Sequence, residues 1–151
     1  MFRHAMIGAL ASLAMALSNV TFAQSSGTAA EARAMLEKAV AALKADEAAA
    51  LAKFPLFDGG FRDRDLYVYC FEMGTGKLTA HANQALIGTD IRTLKEMDGS
   101  PLGQKIYDAA KEGTLTTVSY NFPKPGGAEP VAKEAVITRV GNQGCGVGYY
   151  K

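Results

Sequence analysis

Two cysteines, Cys70 and Cys145, and one histidine outside the N-terminal stretch, His81, are the residues whose types could carry covalent chemistry. A Cys–His nucleophile would need a free, activated thiolate, for instance Cys145 beside His81. The same two cysteines in an oxidising compartment would instead form a bridge. A metal site has no support in the spacing, because the cysteines lie far apart and one histidine remains to join them. There is no CxxCH for haem attachment. The string GTGK, residues 74–77, resembles a phosphate loop only superficially, because it sits in a tight hairpin with no helix behind it. No cofactor is expected. What remains is a choice between a thiol enzyme and non-covalent recognition, and the compartment bears on it.

The N-terminus carries the pattern of export. Arg3 and His4 form a short basic start, and residues 5–18 are an uncharged apolar run. Thr21 and Ala23 then supply the small residues of a cleavage site, so residues 1–23 read as a secretory signal peptide. A membrane anchor is the competing reading, but the run falls short of the ~20 residues that span a bilayer. Residues 24–151 are expected to form one domain, not membrane-spanning once the signal is removed, and periplasmic. Arg3 is the leader's one Lys or Arg, so 16 Lys+Arg against 15 Asp+Glu leaves the remainder formally neutral. That balance excludes nucleic acid and an anionic membrane surface as partners.

The elements that would position a site follow from pattern. Thr28–Glu31, TAAE, has capping-box spacing. A long Ala-rich helix then runs to about Phe54, with Leu36, Val40, Leu43, Ala50 and Phe54 on one stripe. Pro55, Gly59 and Gly60 end it. Residues 65–72, DLYVYCFE, are apolar at successive positions, as in a central strand covered on both faces. MGTGK turns the chain and LTAHA returns as a shorter strand ending near His81. Residues 83–103 are irregular, with at most a short helix near Ile91–Lys95. A second helix, GQKIYDAAKEG, is closed by Gly113. In TLTTVSYNF, Val118, Tyr120 and Phe122 alternate with Thr117, Ser119 and Asn121, which is a half-buried strand. VAKEAVITRV is a fourth strand, GNQG turns the chain, and CGVGYY is a fifth. Consecutive strands with short turns predict an antiparallel sheet in an α+β domain.

From about Thr28 to Tyr150 the chain resembles the single Cache domain, type 2, an extracellular sensor module with a PAS-like sheet. The resemblance rests on DLYVYCFEMGTGKLTAHANQALIG, DGSPLGQKIYDAAKEG, VSYNFPKPGG, Lys133 and the ending GVGYY, in that order. It implies a long helix packed on a five-stranded antiparallel sheet of order 2-1-5-4-3, with the first and last strands side by side. Cys70 and Cys145 would then face each other, and a bridge would close a loop of about 75 residues, worth roughly 4 kcal/mol in the chain-entropy model. Tyr67, Tyr69 and Phe71 would lie on the opposite face, beside the bare backbone of Gly146 and Gly148. That space is open to a small ligand or to the rings themselves.

The resemblance also implies a ligand set. His81 corresponds to a histidine near the small-molecule pocket, and Lys133 to a lysine early in the fourth strand. Tyr67, Tyr69, Tyr120 and Phe122 would wall that pocket, and residues 84–103 would cover it. The bland alternatives are a structural His81, a solvated Lys133 and aromatics that are plain core. The chain departs from the family pattern at Val136, where an aromatic is common, and at NQGC, where a tryptophan often enters the last strand. The expectation is a binding module, not an enzyme, for a short organic acid or similar metabolite, working through a membrane receptor, kinase or transporter. The alternative is a structural or interaction domain with a self-filled pocket, its long helix serving a homodimer or a partner.

Overall fold

The structure is a computed structural model and describes residues 26–151. The signal-peptide expectation for residues 1–23 lies outside the described residues.

The expected long helix is two. Helix α1 is Ala29–Ala45 and α2 is Glu47–Lys53. Thr28 and Glu31 form the capping box, with Glu31 N–H donating to Thr28 Oγ1 at 3.2 Å and Thr28 N–H to Glu31 Oε2 at 2.7 Å. Asp46 makes the break. Its backbone is extended, its N–H donates to Ala42 O, and its carboxylate accepts from Ala49 N–H at 3.0 Å. One residue thus ends the first helix and caps the second. The buried stripe of α1 is Ala32, Leu36, Ala39 and Leu43; Val40, expected in it, is only half-buried.

The strands are β1 (Arg62–Asp63), β2 (Leu66–Glu72), β3 (Leu78–Ala80), β4 (Thr116–Pro123), β5 (Pro130–Val140) and β6 (Gln143–Tyr150). Helix α3 spans Leu102–Ala109, and single 3-10 turns occupy Gln84–Leu86 and Ile91–Thr93. All strand pairings are antiparallel, in the order β1-β2-β6-β5-β4 with β3 also on β2. The expectation of five strands in the order 2-1-5-4-3 needs correcting at one edge. Val68 N–H donates to Phe61 O and Glu72 N–H to Lys77 O, and evenly spaced donors point to one side. The outer edge of β2 is therefore shared, end to end, by β1 and β3. The last strand begins at Gln143, inside the expected turn. Helix α3 also ends at Ala109, short of Gly113, and the Lys111 carbonyl beyond it accepts from Arg139 N–H of β5 and from Thr114 N–H.

The sheet is covered on both faces. On one side, Leu36, Ala39, Leu43, Ala50 and Phe54 pack on Val68, Cys70, Val136, Cys145 and Val147. On the other, α3 and the 3-10 segment press Ile91, Leu102 and Ile106 toward Tyr69, Phe71, Ala135 and Ile137. Strand β6 is buried along its whole length, so the C-terminal segment is core. Cys70 lies opposite Cys145 in the β2–β6 register, and the two sulfurs are bonded.

The bridge closes a loop with a sequence separation of 75 residues. Its reduction, or the double variant Cys70→Ala/Cys145→Ala, is expected to remove about 2–4 kcal/mol of stability. Guanidinium unfolding of the oxidised and reduced protein measures this, and equal midpoints would contradict it.

Candidate functional site

The site is built over a strand without side chains. Gly144, Gly146 and Gly148 alternate along β6 on the face away from the disulfide. A methyl group at Gly146 would lie 2.6 Å from Tyr69 Oη and 2.5 Å from Ile137 Cδ1. One at Gly148 would lie 2.8 Å from both Lys133 Cε and Tyr120 Oη. One at Gly144 would run into the Phe71 ring. Bare backbone therefore makes room for the side chains of β2, β4 and β5 to lean inward.

Above this floor lies a cavity of about 340 Å³. Tyr67, Tyr69, His81, Tyr120, Phe122 and Lys133 all line it. The structure thus brings the six sequence-selected residues to one place, with Phe122 partly exposed at the mouth. Nine further lining residues were missed: Leu78 of β3, Ala82, Asn83, Leu86, Ile91, Leu94 and Lys95 of the chain that follows it, and Leu102 and Ile106 of α3. The covering segment has no helical or strand period, so nothing in its pattern marks these side chains as facing inward.

The polar part of the cavity wall is made of hydrogen-bond donors. Lys133, expected as either ligand or solvated edge, is 4% exposed. Among the described residues no carboxylate stands within salt-bridge distance of it. Its ammonium faces the rings of Tyr150, Phe122 and Tyr67 at 4.6, 5.6 and 5.7 Å. Burial pulls its pKa down to about 8, against the opposing field of Asp65. Asn83 N–H donates to His81 Nδ1 at 2.9 Å, so the neutral ring carries its proton on Nε2. Burial lowers the His81 pKa to about 4, which keeps the ring neutral near pH 7 instead of charging below pH 6.5. Its ring sits edge-on to Tyr67 at 5.1 Å. Burial pushes the hydroxyls of Tyr67, Tyr69 and Tyr120 upward, so all three stay protonated. Tyr69 Oη is fully buried with no hydrogen-bond partner among the described residues.

A polar groove adjoins the cavity and shares Tyr120 and Lys133 with it. Besides Lys133, its buried member is Glu96, 8% exposed. The Glu96 carboxylate accepts from Asn121 N–H at 2.9 Å and from Lys105 Nζ at 3.4 Å. It thereby satisfies a backbone donor on the outer edge of β4.

The family model of single Cache domain 2 matches residues 5–149. The chain belongs to the single Cache domain 2 family. A 75-residue stretch is 31% identical to the methyl-accepting chemotaxis protein McpP of Pseudomonas putida, covering 50% of this chain and 14% of that protein. Among solved structures, a methyl-accepting chemotaxis protein of Vibrio parahaemolyticus aligns with a TM-score of 0.64 at 20% identity, over 80% of this chain and 86% of that one. A Cache chemosensory domain solved for its carboxylic acid recognition aligns with a TM-score of 0.58 at 23% identity, over 80% and 86% of the two chains. At these identities the structural likeness is one of fold. No described helix is long and apolar enough to cross a membrane. The sulfurs of Cys70 and Cys145 are bonded to each other, so neither is available as the thiolate that a Cys–His nucleophile needs.

Two outcomes follow from this geometry. Gly146→Ala forces Tyr69 and Ile137 apart and is expected to cost about 1–3 kcal/mol, read by denaturant unfolding. His81 binds its proton less readily when folded, so the unfolded chain takes up more protons between pH 6.5 and about 4, and stability falls as pH falls through that window. In His81→Asn the slope between pH 6.5 and 5 is expected to flatten relative to the parent; an unchanged slope would place the effect elsewhere.

Proposed function

We propose that this chain is an exported sensor module that binds a small organic anion, most simply a short carboxylate, and acts through a membrane partner. The observation that carries the reading is Lys133: a buried ammonium with no carboxylate partner, opening on a cavity of about 340 Å³. An unpaired buried charge is costly, and an anion entering the cavity would supply the missing partner. The Tyr69 and Tyr120 hydroxyls and the Nε2–H of His81 add donors to the same cavity, which suits the acceptor-only oxygens of a carboxylate. The volume lies at the low end of small-molecule sites and points to a small ligand.

The ligand roles of Tyr67, Tyr69, His81, Tyr120, Phe122 and Lys133 are part of this proposal. So are the signal peptide over residues 1–23, the single domain over 24–151 and the periplasmic location. The comparisons support a sensory reading, since the relatives are chemotaxis receptors and one solved Cache domain recognises carboxylic acids. The chain spans only 14% of the McpP relative, so the receptor, kinase or transporter that would read its occupancy is inferred, as is a homodimer. The self-filled alternative has less behind it, because the rings leave open volume beside Tyr69 and His81.

Thermal-shift and calorimetric titration of the exported domain with organic acids, amino acids and amines tests the proposal. A cognate acid at a hundredfold excess over its Kd is expected to add about 2.7 kcal/mol of stability. Lys133→Met should remove that gain while keeping the fold. Affinity should also fall above pH 8, because binding needs the ammonium and the free lysine loses its proton there. No acid stabilising the protein, or Lys133→Met binding as well as the parent, would sink it.

A further inference from the structure

The cavity wall is of two unlike kinds, and the second restricts what the first can hold. The donors cluster over Gly146 and Gly148. Tyr69 Oη lies against Gly146, and Tyr120 Oη and Lys133 Nζ lie against Gly148. The cavity is also lined by Leu78, Leu86, Ile91, Leu94, Leu102 and Ile106, from β3, the covering segment and α3. None of these six carries a polar side-chain atom.

We propose that this apolar lining selects a monocarboxylate with an unbranched apolar tail. The proposal deepens the anion reading above and rests on it. Size sets the tail. At roughly 30 Å³ per water-sized group, the cavity holds at most about ten heavy atoms; a carboxylate takes three of these, and a tail of about four to six carbons fills most of the rest. Chemistry sets its character. A second carboxylate or a hydroxyl on the tail would be buried against leucine and isoleucine without a partner. Lys95, the other cation that lines the cavity, is exposed, so it would meet such a group only at the rim. An α-amino group would sit beside the Lys133 ammonium, and among the described residues no carboxylate lines the cavity to receive it. The groove carboxylate Glu96 is already engaged by Asn121 and Lys105. A short acid such as acetate would satisfy Lys133 and leave the leucine lining uncovered.

Calorimetric titration of the exported domain with the straight-chain acids from acetate to octanoate tests this. Affinity is expected to rise about three- to fourfold per added methylene up to about hexanoate, then level or fall. Succinate, 4-hydroxybutyrate and 4-aminobutyrate are each expected to bind at least tenfold more weakly than butyrate. Leu94→Phe and, separately, Leu86→Phe should move the end of the rise to a shorter acid; melting curves show that each variant folds, and two positions guard against one that does not. A flat series, or succinate binding more tightly than butyrate, would overturn the tail proposal and leave the carboxylate reading standing. Binding of no acid in the series would overturn both.

Discussion

The antiparallel seam between β2 and β6 is the constraint from which both faces of the sheet take their shape. Cys70 stands opposite Cys145, Tyr69 opposite Gly146 and Phe71 opposite Gly144. Side chains alternate across a sheet, so a slip of one residue would bring the aromatics to the helix side and the sulfurs to the cavity side. The covalent bond holds the register at one point, and the glycines hold it again, because only they leave room for the Tyr69 and Phe71 rings. Helices α1 and α2 pack on the sulfur side, while α3 and the covering segment leave the glycine side partly open. The division of labour between a sealed core and a cavity is thus decided along one pair of strands.

The energetic character of the two halves differs accordingly. The helix side is apolar: Leu36, Ala39, Leu43 and Phe54 against Val68, Val136 and Val147. The cavity side buries an ammonium among rings and leaves a tyrosine hydroxyl without a partner. Such local departures from good packing lower the stability of the empty fold, and they are where function is expected to sit. A ligand that restores the missing contacts would be coupled to stability for the same reason.

Much of this was legible in the chain. The unbroken apolar run Leu66–Phe71 and the Gly-Tyr ending marked two central strands, and alternation placed Tyr120 and Phe122 on one face. The helix break was not legible, since an aspartate within an alanine-rich run disturbs no periodicity; its role appears only when its carboxylate turns back to Ala49 N–H. Strand β1 is two residues long, too short to carry a pattern. The apolar lining of the cavity was hidden for another reason. Leu86, Ile91 and Leu94 lie in irregular chain, where facing inward is decided by tertiary contacts with α3 and β3 and leaves no repeat to read.

Glu96 has a consequence beyond the groove it lines. Strand β4 ends the sheet, and a terminal strand with free amides invites another chain to add itself. The carboxylate on Asn121 N–H occupies one of those amides and sets a negative charge across the row. An extended segment approaching there would have to displace an ionic acceptor before gaining its first ladder bond. The segment that roofs the cavity therefore already occupies part of the sheet's open border.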